Sequence, residues 1–170
     1  MEKRHPQDSI STSTKVVLPN DTNTIGKLFG GSLLAWIDEI AAVAAHRHSG
    51  SLVVTAAINN VSFTKPVDLG AIVTLSAKVS RAFGSSMEVI IDVFIEDRVT
   101  GEKTSSNQAI LTFVAVDRNG ATYKVPEITP ETDEEKERYV AALRRRQLSL
   151  VIAGRMKPDE ATELKALFGM

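Results

Sequence analysis

Two adjacent carboxylates, Asp38 and Glu39, lie inside a largely apolar segment of the sequence. Apolar residues recur at helical spacing from Ser32 to Arg47, which predicts a helix. On that helix the neighbours of Asp38 are apolar or small: Leu34, Ala41, Ala42 and Ala45. A carboxylate on such a face lies either at a seam with a partner subunit or in a site where burial adapts it to acid or base chemistry. Periodicity alone does not separate Asp38 from Glu39.

Gly30 and Gly31 stand at the head of the same helix. Backbone N–H groups at a helix N-terminus have no intrahelical partner and can polarise a carbonyl oxygen. Gly31 lies nearly two turns before Asp38, about 10 Å along one face. The spacing therefore favours a groove with an oxyanion donor at one end and a carboxylate at the other. A sharp turn into the helix is a second explanation of the glycines.

Three further polar clusters are candidates for binding. The loop NDTN at 20–23 suits caps and turns, or the orientation of a water by its amides. The run RAFGSS at 81–86 predicts a hairpin turn whose Arg81, Ser85, Ser86 and backbone N–H groups also suit a phosphate. The triplet Arg144 to Arg146 is interpreted first as a solvated helix end.

Composition excludes several classes of function. Twenty Lys and Arg balance 21 Asp and Glu, so no overall field attracts nucleic acid or an anionic membrane. The sequence has no cysteine, and its three histidines show no metal or triad spacing, so no metal site is predicted. No apolar run reaches the roughly 18 residues of a membrane span, and the first residues are not a secretory signal. We expect a soluble, cytoplasmic protein.

After the helix the period changes from helical to alternating, which predicts long strands. The strand segments run from Leu52 to Thr64, Ala71 to Arg81, Met87 to Ile95 and Thr104 to Val116, and a short strand at Thr14 to Leu18 precedes the helix. The connections are too short for parallel crossovers, so the strands are predicted to be antiparallel. A capping-box pattern at Thr132 and Glu135 starts another helix, and an amphipathic piece covers Asp159 to Phe168.

This order predicts an α+β fold in which a long antiparallel meander wraps around one central helix. The predicted parts are a flexible arm at 1–13, one domain at 14–125 and a helical tail at 126–170. The tail contains a peripheral helix, and its amphipathic piece from Asp159 to Phe168 is expected to pack on the body or on a neighbouring chain.

Several motifs in this order resemble the type II acyl-CoA thioesterases, which have the hot-dog fold. They are PNDTNTIGKLFGG at 19–31, WIDE at 36–39, VSFTKP at 61–66, RAFGSS at 81–86 and TFVAVD at 112–117. The resemblance covers roughly residues 14–125. It implies hydrolysis of acyl-CoA to a free fatty acid and CoA, with no cofactor or metal required.

The resemblance also implies roles for individual residues. It places the catalytic acidic residue on Asp38, as general base or nucleophile, and a catalytic asparagine on Asn23 from the opposite subunit. Lys65, Arg81, Ser85 and Ser86 would contact CoA. The N–H groups near Gly30 and Gly31 would hold the oxyanion, an assignment that rests on the helix geometry more than on the motif. Active sites would lie at the interface of a homodimer, and three dimers would form a hexamer. Glu39 and the tail receive no role, and the acyl chain length is not predicted.

Two other functions compete with a thioesterase. A non-catalytic hot-dog module that senses acyl-CoA would need a DNA-binding segment, for which the arm at 1–13 is too short. A hot-dog dehydratase would need a catalytic histidine near the helix. After His5, no histidine comes before His46, which lies at the end of the helix. The sequence therefore favours the thioesterase.

Overall fold

A single long helix, α1 (Gly30–Ser49), is the centre of the larger part of the chain. The computed structural model describes residues 3–62, 65–97 and 100–169. The chain divides into two compact units, Met1–Ile128 and Thr129–Met170. The strands of the first unit are β1 (Lys3–Arg4), β2 (Ser11–Val16), β3 (Leu52–Val61), β4 (Ile72–Phe83), β5 (Ser86–Glu96), β6 (Lys103–Val116) and β7 (Glu127–Ile128). Phe63 and Thr64, which stand in the middle of the motif at 61–66 and at the end of one predicted strand, lie outside the described residues.

Five of these strands form one antiparallel sheet in the order β2-β4-β5-β6-β3. The strands β4, β5 and β6 are joined as a meander, and the hairpin between β4 and β5 turns at Gly84, which has a φ of 74°. The predicted antiparallel pairing is confirmed. The prediction of one continuous meander is wrong at β3, because β3 pairs with β6 and not with β4. Alternation identifies strands but not their neighbours, so the sequence pattern did not reveal this crossover.

The core lies between the sheet and α1, which contacts all five strands. The inward residues of β4, β5 and β6 have at most 1% of their surface exposed: Val73, Leu75, Ala77, Val79, Met87, Val89, Ile91, Val93, Ala109, Leu111, Phe113 and Ala115. Opposite them, Ile37, Ala41, Ala44 and Ala45 of α1 are fully buried. The alanines allow the helix axis to approach the sheet closely, because they place only a methyl group between the two backbones.

The two edges of the sheet differ in exposure. On β3, every residue from Val54 to Asn60 is exposed, including the large apolar residues Val54 and Ile58. A ten-residue edge strand with exposed apolar side chains offers unpaired backbone groups to another strand. Within the described residues no strand covers it.

The described part of the predicted flexible arm differs from that prediction, since it contains regular structure. The strand β1 pairs with β7, a 3₁₀ turn spans Pro6–Ser9, and β2 begins at Ser11. The Ser9 hydroxyl accepts a hydrogen bond from the backbone N–H of Val79 at 2.9 Å. These polar side chains have tertiary partners, which a composition rich in polar residues does not indicate.

The second unit contains α2 (Asp133–Ile152) and α3 (Thr162–Leu167). The predicted capping box is present, because the Thr132 hydroxyl accepts from the Glu135 N–H at 3.2 Å and the Glu135 carboxylate accepts from the Thr132 N–H at 3.3 Å. The helix continues five residues beyond the predicted end at Gln147, to Ile152. The side chain of Gln147 accepts from the N–H of Leu164 at 2.9 Å and joins α3 to α2.

Candidate active site

Asp38 lies in the middle of α1 and is half-buried. Its Oδ1 accepts a hydrogen bond of 2.8 Å from the hydroxyl of Thr55 on β3. The sequence does not indicate Thr55, because a threonine in a β-rich run is ordinary and nothing in its spacing connects it with Asp38. The hydrogen bond fixes one carboxylate oxygen and leaves Oδ2 without a hydrogen bond among the described residues.

Glu39 points to the other edge of the sheet. Its carboxylate lies 3.1 Å from the ammonium group of Lys15 on β2, and its side chain is 67% exposed. The same ammonium group lies 5.2 Å from the centre of the Trp36 ring, a cation–π distance. Because successive helical residues are 100° apart, the two adjacent carboxylates contact opposite edge strands. The partners of the two carboxylates therefore distinguish Asp38 from Glu39, whereas helical periodicity did not distinguish them.

The N-terminus of α1 has open backbone donors. The first intrahelical bond runs from the Leu33 N–H to the Phe29 carbonyl at 3.1 Å, and no side chain caps the helix. The N–H groups of Gly30 and Gly31 precede that bond and have no hydrogen-bond partner in the part of the chain that the structure describes. A Cβ on Gly31 would lie 2.6 Å from Cε1 of Phe29, so glycine leaves room for this ring.

Asn23 lies in the loop before α1, and its side chain organises a tight turn. Its Oδ1 accepts from the backbone N–H groups of Ile25 and Lys27, each at 3.1 Å. The backbone N–H of Asn23 donates to the Lys27 carbonyl at 2.8 Å. The carbonyl oxygen of the side chain is therefore occupied, and its NH₂ group is left to donate to a ligand.

A cavity of about 400 Å³ lies beside this turn. We call it the loop cleft; its lining residues are Asn23, Ile25, Lys27, Leu28, Gly30, Leu33, Lys65, Pro66 and Val67. Three of the residues predicted from the sequence, Asn23, Gly30 and Lys65, thus meet in one cleft. Asp38 is not among its lining residues.

Arg81, Ser85 and Ser86 lie at the hairpin between β4 and β5. The guanidinium group of Arg81 is 5.4 Å from the centre of the Phe83 ring. The carbonyl of Ser85 accepts from the Ala115 N–H at 2.9 Å, which places the hairpin beside the C-terminal end of β6.

The hairpin and the loop cleft lie at opposite ends of the sheet. Loop residue Asp68, just before the start of β4, bridges to Lys27 of the cleft, whereas the hairpin follows the end of β4. A strand of this length spans roughly 35 Å. Within one chain, Lys65 therefore lies far from Arg81, Ser85 and Ser86, although all four were predicted to contact one CoA.

Among residues 3–62, 65–97 and 100–169, no cluster of three or more His, Cys, Asp or Glu is arranged to hold a metal ion. Across the same residues, no helix has the length and apolar character needed to cross a membrane.

Comparison with known proteins places this geometry in a family. The thioesterase superfamily profile matches residues 25–102. An uncharacterized acyl-CoA thioester hydrolase of Bacillus subtilis (strain 168) is 42% identical over 134 residues, which are 79% of this chain and 78% of that protein.

Solved structures agree with the sequence comparison. An apo-hexameric acyl-CoA thioesterase has a TM-score of 0.86 at 39% identity, over 90% of this chain and 98% of its own. An acyl-CoA hydrolase from Staphylococcus aureus, in complex with butyryl coenzyme A, coenzyme A and coenzyme A disulfide, has a TM-score of 0.83 at 38% identity, over 97% and 99%. Mutants of that hydrolase with alanine in place of an asparagine, an aspartate or a threonine have also been solved. With its hot-dog fold confirmed by these matches, the chain belongs to the acyl-CoA thioester hydrolases of the thioesterase superfamily.

Proposed function

We propose that this enzyme hydrolyses acyl-CoA to a free fatty acid and CoA, with Asp38 as the catalytic carboxylate. The observation that carries the proposal is the hydrogen bond from Thr55 to Asp38, which links two residues distant in sequence. In the Staphylococcus aureus hydrolase, the mutated asparagine, aspartate and threonine follow one another with the spacing of Asn23, Asp38 and Thr55. The matching spacing supports the same three residues here.

The proposed reaction uses the free oxygen of Asp38. A water attacks the carbonyl carbon of the thioester while Oδ2 accepts a proton from that water. The C–S bond then breaks, and the CoA sulfur leaves as a thiolate that takes up a proton. Direct attack by Asp38, with an anhydride that water hydrolyses, gives the same products. Neither route needs a metal or cofactor, because a thiolate is a good leaving group.

The donors around the loop cleft suit the other half of the reaction. Negative charge develops on the carbonyl oxygen during attack and is stabilised by N–H groups held in place beforehand. The N–H groups of Gly30 and Gly31 and the NH₂ group of Asn23 are donors of this kind. Asn23 is assigned to hold the substrate carbonyl, since its own carbonyl oxygen is occupied by the turn.

A complete site is proposed to need two chains. Antiparallel pairing of β3 with the β3 of a partner would place the start of one strand opposite the end of the other. The Arg81 hairpin lies near the start of β3 and Lys65 follows its end, so this pairing brings the hairpin of one chain toward the loop cleft of its partner. The exposed apolar edge of β3 favours such pairing.

The proposed composite site assigns residues to both chains. Asp38 of one chain works with Asn23 of the other, and Lys65, Arg81, Ser85 and Ser86 from the two chains contact the CoA phosphates or pantetheine. Similar acyl-CoA thioesterases are hexameric, and three such dimers are proposed to form a homohexamer here.

The test is a thiol-release assay with acyl-CoAs from acetyl to palmitoyl, on the wild type and on Asp38→Asn. We expect turnover by the wild type and a loss of about 10² or more in kcat for the variant, as for removal of a general base. CoA affinity and the thermal unfolding midpoint should stay near wild-type values. Tight binding of acyl-CoA without turnover by the wild type would instead favour the sensing module, and full activity of Asp38→Asn would exclude its assigned role.

A further inference from the structure

Ile25 is an unusual residue for its place in the chain. It is the one apolar residue in the run NDTNTIGK at 20–27, and 75% of its surface is exposed. A single exposed isoleucine is common on protein surfaces. Ile25 differs because it lies on the wall of the loop cleft, beside the predicted catalytic asparagine.

The walls of the loop cleft are divided by chemistry. Five of its lining residues are apolar: Ile25, Leu28, Leu33, Pro66 and Val67. Polar groups are supplied by Asn23, Gly30 and two lysines, of which Lys27 is paired with the carboxylate of Asp68. The cleft volume lies within the range of small-molecule sites, about 300 to 1,000 Å³. Such a cleft fits a molecule with a hydrocarbon part and a polar group next to it.

Hydrogen bonds within one turn connect Ile25 with Asn23. The N–H of Ile25 donates to Oδ1 of Asn23, and the N–H of Gly26 donates to the Asn23 carbonyl at 3.0 Å. Gly26 takes a φ of 71°, which closes the turn, and its carbonyl accepts from the Leu69 N–H at 3.3 Å. The turn therefore fixes the Asn23 amide and the Ile25 backbone relative to each other. A group that contacts Ile25 is held at a fixed distance from the Asn23 donors.

We infer that the loop cleft binds the acyl chain of the substrate and that Ile25 is a specificity-determining residue. This inference rests on the proposed function. A thioester carbonyl at Asn23 and Gly30 would place the first carbons of its acyl chain against Ile25. The pantetheine arm of CoA fits the cleft less well, because it carries two amide groups that would lose hydrogen bonds to water against apolar walls.

The experiment measures kcat/KM of Ile25→Ala and Ile25→Leu for acetyl-, butyryl-, octanoyl- and palmitoyl-CoA. We expect Ile25→Ala to lose about tenfold for butyryl-CoA and longer substrates relative to acetyl-CoA, since contacts with methylene groups in a hydrophobic pocket discriminate to this extent. Ile25→Leu, which keeps the apolar volume, should stay within about twofold of the wild type for every substrate. Inhibition by free CoA should not change in either variant.

A matched control is Leu18→Ala, which truncates another exposed apolar residue of the same region, 57% exposed and outside the cleft lining. Its chain-length profile should equal that of the wild type. An equal loss for all substrates in Ile25→Ala, with weaker CoA inhibition, would overturn the inference in favour of pantetheine. An unchanged profile would overturn it as well.

Failure of the proposed function gives a different result. If the wild type hydrolyses no acyl-CoA, calorimetric affinities for the same substrates replace the kinetic constants. A loss of affinity in Ile25→Ala that grows from acetyl- to octanoyl-CoA supports the acyl cleft without catalysis. Equal affinities across that series in the wild type would contradict the acyl cleft.

Discussion

At the level of single residues, the central pair is Asp38 and Thr55. An exposed edge strand supplies the hydroxyl, and a half-buried helix position supplies the carboxylate. Hydrogen bonds to charged groups contribute about 1.5 to 3 kcal/mol, more than neutral ones. Thr55 is thus proposed to position Asp38, and loss of its hydroxyl should then change the kinetics.

The prediction for this pair compares Thr55→Val with Thr55→Ser. Valine keeps the shape and removes the donor, so we expect kcat to fall about tenfold or more, while KM changes little. Serine keeps a hydroxyl at the same position and should retain most of the activity. Steady-state kinetics with one acyl-CoA measure both values, and sedimentation checks that the assembly is unchanged. A larger loss in Thr55→Ser than in Thr55→Val would instead indicate a structural role of the side-chain methyl group.

At the level of elements, the C-terminal end of α1 is joined to both ends of the first unit. Buried His48 has Nε2 at 2.9 Å from the Pro126 carbonyl, just before β7, and its Nδ1 has no partner among the described residues. Arg4 of β1 donates to the carbonyls of Arg47 and His48 at 2.7 and 2.8 Å. These bonds satisfy carbonyls that the end of a helix leaves open.

The pH dependence of stability should report on His48. Burial lowers the pKa of His48 most, the Pro126 carbonyl opposes this by hydrogen bonding, and Arg4 lowers and Asp8 raises the pKa through their charges. The net pKa is below the ordinary value of 6.5. As the pH falls, His48 therefore binds a proton in the unfolded chain before it does so in the folded chain. The contribution of neutral His48 to stability is complete above about pH 6.5 and is lost as the pH falls toward the folded pKa.

The measurement is the free energy of unfolding at fixed protein concentration, between pH 7.5 and 5, for the wild type and His48→Gln. Fluorescence of Trp36, the one tryptophan, reports unfolding. We expect the wild type to lose up to about 1.4 kcal/mol more than the variant per pH unit in the acidic part of this range. Glutamine keeps an N–H donor for Pro126 and does not titrate. Parallel curves would show that His48 does not couple folding to pH.

At the level of the whole molecule, the two ends of the sheet carry different parts of the proposed site. The loop cleft has the carbonyl donors, the far hairpin has Arg81 and two serines, and Asp38 lies between them. A strand's length separates the two ends in one chain, whereas a two-fold axis near β3 would bring them together. Catalysis by this enzyme should then depend on residues from two paired subunits.

Mixing two inactive variants tests this dependence. Asn23→Asp keeps the oxygen acceptors of the turn and removes the NH₂ donor, and Asp38→Asn removes the proposed catalytic carboxylate. A mixed dimer contains one site with both wild-type residues, so random exchange between equal amounts should restore about a quarter of wild-type activity. The assay follows thiol release after mixing, and mass spectrometry confirms that subunits have exchanged. Exchange without recovered activity would place the complete site in one chain.

The sequence by itself determined the elements and the family. The alternation of Val73 to Val79, the helical spacing from Ser32 to Arg47 and the cap at Thr132 are local patterns, set by which face of an element leaves water. The order of the motifs along the chain indicated the thioesterase superfamily. These features can be recognised in the sequence because they depend on neighbours a few residues away.

Only the tertiary structure decided which residues meet. The pairing of β3 with β6, the Thr55 hydroxyl on Asp38 and the Lys15 ammonium on Glu39 join positions 17 or more residues apart. Register fixes such contacts, and a one-residue shift of a strand would turn each of these side chains to the other face. The adjacent carboxylates Asp38 and Glu39 are alike in the sequence, and they differ in the folded protein because the sheet curves around the helix and presents a different edge strand to each.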